Sequence, residues 1–170
     1  ENYSYAINAT GLLTTTTVVG DSNACSYSTS VQQDVLGRTV SETNRQGGVT
    51  KYSYDMAGNV IKKVPPTGNG NYSLTYTYDT AGNVLSETET GEDIDTSTKT
   101  YTYDMLGRMT TSTDGMGKKT TYTYCGTDWV KTIQTPFSGT SYGQTSYTYD
   151  TVWKVTKTYS YDAFGNEINR

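Results

Sequence analysis

The sequence predicts an all-β fold, a repetitive antiparallel ribbon of β-hairpins, elongated or spiralled. Three observations predict it. An octad of the form Tyr-x-Tyr-Asp-x-x-Gly-Asn/Arg recurs along the chain. The 170 residues hold 34 Thr and 17 Tyr, and both residue types favour strands. The motif aspartate positions are 34, 55, 79, 104, 125 (as Cys), 150 and 162, so all gaps but the last run from 21 to 25 residues. That length holds two short strands and two turns.

The copies run in order through a single array over residues 1–170. Tyr3-Ser4-Tyr5-Ala6 opens an eroded copy near 3–11. The copy at 31–38, Val31-Gln32-Gln33-Asp34-Val35-Leu36-Gly37-Arg38, keeps Asp and Gly and lacks both tyrosines. Full octads stand at 52–59 (Tyr52, Tyr54, Asp55, Gly58), 76–83 (Tyr76, Tyr78, Asp79, Gly82) and 101–108 (Tyr101, Tyr103, Asp104, Gly107). The copy at 122–129 places Cys125 at the Asp position, and that at 147–154 runs from Asp150 into Trp153. A last full octad at 159–166 carries Tyr159, Tyr161, Asp162 and Gly165. The final gap, 12 residues, is too short for a whole unit, so a strand is missing there or the last copy pairs differently.

Each octad has a physical reading. Side chains alternate along a strand, so Tyr-x-Tyr sets two rings on one face and its Ser or Thr on the other. Asp ends the strand, because its carboxylate accepts backbone N–H groups within a turn. Gly three residues later takes a positive φ at little cost. A return strand follows, as in Asn59-Val60-Ile61-Lys62-Lys63-Val64. A variable second loop such as Pro65–Asn71 then leads to the next copy. One hairpin is marginal in water, so neighbours must pair edge to edge. The expected core is aromatic, a face of stacked tyrosines.

These octads resemble the YD-repeat family, also called rearrangement-hotspot or RHS repeats. The resemblance rests on the full octads at 52–59, 76–83, 101–108 and 159–166. It implies a β-ribbon spiralled into a hollow shell that encloses a toxin or presents an adhesive surface. Family members include bacterial surface proteins, polymorphic toxins, insecticidal toxin shells and teneurins. The chain lacks the Asp-Pro-Gly-Leu-type motif that precedes a toxin effector, and it is too short to close a large shell. Starting at Glu1 without Met, it reads as a mature product or an internal segment of a longer protein or fibre. Its terminal copies look like interior repeats, which favours continuation into more chain or a second copy.

Composition narrows the chemistry. There is no His, which removes the usual general base and the commonest metal ligand. Cys25 and Cys125 fit no metal spacing; the pair leaves open a disulfide or two packed thiols. The acidic run Glu87, Glu89, Glu92, Asp93, Asp95 reads as a solvated loop. The repeated aspartates read as turn caps. The Tyr ladders with Trp129 and Trp153 read as core, the other reading being a sugar-stacking face. Asn2, Asn8 and Asn71 each begin an N-glycosylation acceptor triplet. A net charge of −4 argues against nucleic acid. No run is long and apolar enough for a membrane span.

The expected function is a non-enzymatic, extracellular structural protein, forming a shell segment or a self-assembling surface fibre. Its expected partners are copies of itself or adjacent repeats, with carbohydrate as a further one. No catalytic residue, metal or cofactor is expected. The alternatives are a carbohydrate-binding cell-surface adhesin or a segment of a toxin-encapsulating shell. The expected location is extracellular or at the cell surface, in bacteria.

Overall fold

The structure is a computed structural model, and it describes residues 2–8, 12–19, 27–66, 72–92, 94–126, 129–138, 141–149 and 155–161. The described residues form strands and connections, with no helix among them. The strands are β1 (Asn2–Ile7), β2 (Leu13–Val19), β3 (Tyr27–Gln33), β4 (Thr39–Thr43), β5 (Val49–Tyr54), β6 (Val60–Val64) and β7 (Ser73–Tyr78). They continue with β8 (Val84–Thr90), β9 (Ser97–Tyr103), β10 (Met109–Thr113), β11 (Lys119–Cys125), β12 (Trp129–Ser138), β13 (Ser141–Tyr149) and β14 (Val155–Tyr161). Sheet order follows chain order, and pairing is antiparallel. The chain divides into two compact units, one of residues 1–76 and 88–96, the other of residues 77–87 and 97–170.

Within the first unit, β5 shows the strand logic. Tyr52 and Tyr54 are half-buried, and Ser53 between them is exposed. Within the second unit, Tyr101 and Tyr103 flank exposed Thr102, and Tyr122 and Tyr124 flank exposed Thr123. The exposed hydroxyls pair across strands. Thr102 meets both Thr110 and Thr111, at 2.8 and 2.7 Å, and Thr123 meets Thr132 at 2.5 Å.

The return strands carry a device that the alternation does not announce. Tyr54 pairs with Val60 and Ser53 with Lys62, which leaves Ile61 as an extra residue. The same bulge falls at Val40, Thr110, Lys131 and Thr156. It puts two neighbouring residues opposite one, which is how Thr102 reaches two threonines.

Two expectations change, and the first and last copies show how they pair. The aromatic face is not a sealed core: among the described residues no hydrophobic side chain is buried, and Tyr3 and Tyr5 are 57% and 69% exposed. Among the described residues the tyrosine rings are half-buried at most, so they shield one another only in part. The second loops are not all variable. Residues 44–48 and 114–118 repeat the turn of the octads, with Gly47 and Gly117 both at φ +79. In the first copy β1 runs on through Ile7, and Asn8 Oδ1 accepts the Leu12 N–H at 3.0 Å. The short last gap also has a cause. The strand β14 pairs directly with β13, so it is at once a return strand and the next Tyr-x-Tyr strand. Register sets Tyr159 opposite Ser146 and Tyr161 opposite Gln144.

Candidate functional site

The recurrent unit of chemistry is the five-residue turn. In residues 55–59 the Gly58 N–H donates to the Asp55 carbonyl at 3.2 Å, and the Asp55 N–H donates to the Asn59 carbonyl at 2.9 Å. Bringing those last two groups together requires φ +96 at Gly58. A side chain in that region costs about 1–2 kcal/mol. Oδ1 of Asp55 accepts the Asn59 N–H at 2.8 Å, and Oδ2 accepts the Asn59 side-chain amide at 2.9 Å. One carboxylate thus closes the loop from inside.

The turn at Asp79 is the same, with Asn83 donating from backbone and side chain, both at 2.9 Å. At Asp34 and Asp104 the closing residue is arginine. Arg38 Nε and Arg108 Nε donate to the carboxylates at 2.7 and 2.8 Å, and each guanidinium's Nη2 forms an ion pair with the same oxygen, at 2.7 and 2.6 Å. These partners hold all four carboxyls below the ordinary range. The leading cause is the Arg38 backbone N–H at Asp34, the side-chain amides of Asn59 and Asn83 at Asp55 and Asp79, and the Arg108 guanidinium at Asp104.

The turn is also wired to its neighbour. The Tyr54 hydroxyl donates to the Thr39 carbonyl at 2.5 Å, just past the preceding turn. Tyr103 does so to Val84 at 2.9 Å, and Tyr124 to Met109 at 2.6 Å. Burial raises the phenol pKa of Tyr103 and Tyr124. Arginine adds a bridge. Arg38 lies 4.8 Å over the Tyr54 ring and donates to the Asp55 carbonyl at 3.3 Å. Arg108 lies 4.5 Å over Tyr124 and donates to the Gly126 carbonyl at 2.8 Å. Sequence reasoning gave the eighth octad position no role. Its spacing, four residues past each Asp with a donor side chain, carries the signal.

The remaining candidates are placed as follows. Tyr76 and Tyr78 are half-buried on β7. Tyr159 and Tyr161 lie in β14, while Asp162, Gly165, Asp150 and Trp153 lie outside the described residues. Cys125 is a half-buried free thiol at the end of β11, and Cys25 lies outside the described residues. Asn2 is exposed on β1, Asn8 is exposed and anchors a turn, and Asn71 lies outside the described residues. In the acidic run, Glu87 pairs with Lys99 at 3.2 Å, Glu89 accepts the Tyr72 hydroxyl at 2.6 Å, and Asp93 lies outside the described residues. Among the described residues no His, Cys, Asp or Glu cluster is arranged to hold a metal. Trp129 is half-buried at the start of β12.

Residues 34–69 match the family model described as RHS Repeat. No curated protein matches the chain in sequence. Among solved structures, the chain is similar to one in the Photorhabdus luminescens Tc holotoxin pore, at 15% identity and a TM-score of 0.51, over 95% of this chain and 11% of that one. It is also matched to a chain of TcdB2-TccC3 without its hypervariable C-terminal region, at 16% identity and a TM-score of 0.45, over 96% of this chain and 10% of that one. The chain thus spans about a tenth of the length of these structures. The first likeness shows the fold.

Proposed function

Because residues 34–69 are an RHS repeat, we propose that the whole chain, residues 1–170, is one RHS array and serves as a structural wall segment of a secreted or cell-surface bacterial protein. Its role is mechanical and non-enzymatic, and its partners are adjacent repeats of the same kind. The observation that carries this reading is the repeated inter-hairpin bond, in which Tyr54, Tyr103 and Tyr124 each grip the carbonyl just past the previous turn. Such bonds stabilise the sheet by joining each hairpin concerned to the one before it. The likeness in fold to a Tc holotoxin chain supports a wall over a catalytic body.

The fibre reading is the second. It is favoured by the six exposed residues of β1, a strand paired on one side among the described residues and so of the kind that pairs with another chain. Electron microscopy of the purified chain separates the two. Discrete particles at all concentrations support the wall segment. Regular filaments overturn it in favour of the fibre. N-linked sugar at Asn2, Asn8 or Asn71 is part of this surface reading, and intact-mass measurement on secreted material checks it.

A further inference from the structure

Three of the four methionines stand at turn tips. Met56 and Met105 each follow the aspartate that anchors a five-residue turn, and Met116 lies in the return turn at 114–118. All three are open to solvent: Met56 is 106% exposed, Met105 104% and Met116 83%. The fourth, Met109, is half-buried on β10, opposite Tyr103 of β9. Methionine ordinarily fills irregular gaps in a core. At the tips it fills none.

The turns close without these side chains. Around Met56 the bonds join Asp55 to Gly58 and Asn59. Around Met105 they join Asp104 to Leu106, Gly107 and Arg108. Met116 lends only its backbone N–H, which donates to Asp114 Oδ1 at 3.0 Å. An oxygen added at any of the three sulfurs would meet water and disturb no bond of its turn. Met109 differs. Its carbonyl accepts the Tyr124 hydroxyl at 2.6 Å, a bond between hairpins. A sulfoxide on its side chain would set a polar, chiral group among half-buried neighbours, the kind of change that disrupts packing.

We propose that Met56, Met105 and Met116 are sacrificial oxidation sites, and that their substrate is an oxygen-transferring oxidant of the hypohalous acid class. In the net step the thioether sulfur forms one S–O bond and the O–Cl bond of hypochlorous acid breaks. Sulfur gives up two electrons, chlorine leaves as chloride, and the oxidant's proton passes to water. Each tip consumes one equivalent and becomes methionine sulfoxide, a lesion that is chemically reversible. The product sits where the fold does not depend on the side chain, and Met109 and the hairpin-joining phenols are spared. The reading is independent of the wall role, because it needs only the exposed tips.

The test uses the full chain with its thiols capped by iodoacetamide, so that they take no oxidant. Hypochlorous acid is added in steps up to one equivalent per tip, and peptide mass maps and circular dichroism are recorded at each step. Sulfoxide is expected at Met56, Met105 and Met116 first, with Met109 oxidised about tenfold more slowly and the strand signal unchanged. A variant carrying Met56→Leu, Met105→Leu and Met116→Leu keeps apolar tips and removes the three sulfurs. At the same dose its Met109 sulfoxide should rise at least about threefold. Oxidation of Met109 as fast as the tips overturns the proposal. So does loss of the strand signal while only the tips are oxidised, and so does a leucine variant whose Met109 is oxidised no more than in the parent chain.

Discussion

The arginine-closed and asparagine-closed turns differ in what they reach. Asn59 and Asn83 spend their amides within their own loop, on Asp55 and Asp79. Arg38 and Arg108 close the loop and then extend to the next hairpin, touching a tyrosine ring and a carbonyl there. Connection length follows the same division. Both arginine turns are followed by a five-residue return turn, at 44–48 and 114–118. The asparagine turns are followed by longer links, from Val64 to Ser73 and from Thr90 to Ser97. One octad position thus decides whether the closing side chain itself reaches the next hairpin, and short links accompany the reaching kind.

Removing the anchor should break the comparison outright. Asp104→Ala takes away the acceptor of the Leu106 and Arg108 N–H groups and of the guanidinium. It should open both the turn and the bridge, giving the largest loss of hydrogen-exchange protection, at Gly107 and Arg108 and also across Tyr124. Loss confined to the turn would show that the bridge does not depend on closure. Gly58→Ala acts on the turn alone, because φ +96 costs a side chain about 1–2 kcal/mol. Local exchange at 55–59 should speed by roughly five- to thirtyfold, with the octad at 76–83 unchanged. Arg108→Asn converts one kind into the other. It keeps the amide donor and loses the cation–π contact and the Gly126 bond, about 1 kcal/mol in all. The Tyr124 region should loosen while the 104–108 turn stays closed.

Acid is the gentlest probe. Asp34, Asp55, Asp79 and Asp104 have folded pKa values below their ordinary value. Their stabilisation is therefore complete above about pH 4 and is lost as pH falls through the lowered values. The Asn44 turn has no carboxylate, so exchange at Gly47 and Gly48 should show no such inflection. The opposite sign holds for Tyr52, whose raised phenol pKa keeps its bond to Glu42 below about pH 10 and loses it as pH rises through about 12. Ultraviolet titration of the chain should show this late phase, removed by Tyr52→Phe.

Much of the fold was legible because its signal is local. Tyr-x-Tyr fixes face by alternation, and Asp with Gly three residues on fixes the hairpin. The turns at Asn44 and Asp114 carry the same signal, yet no Tyr-x-Tyr precedes them, so the octad does not reveal them. Asn8 is obscured for a related reason: the tyrosines at positions 3 and 5 stop two residues short of it. The bulge at Ile61 leaves no trace, since which residue goes unpaired depends on the partner strand. An aromatic core was expected where the described rings are half-buried or exposed, because alternation says which side a ring takes and not how far it is covered.

The tyrosine grip has a bearing on how such a chain changes in length. Tyr54 reaches Thr39, and Tyr124 reaches Met109, each fifteen positions back. Tyr103 reaches nineteen positions back to Val84 with the same fastening. A hairpin that carries such a tyrosine therefore brings its own clasp and finds the eye of that clasp on the hairpin before it. In-frame duplication or deletion of such a unit preserves fastenings of this kind, so recombination can lengthen or shorten the array without redesigning those joints.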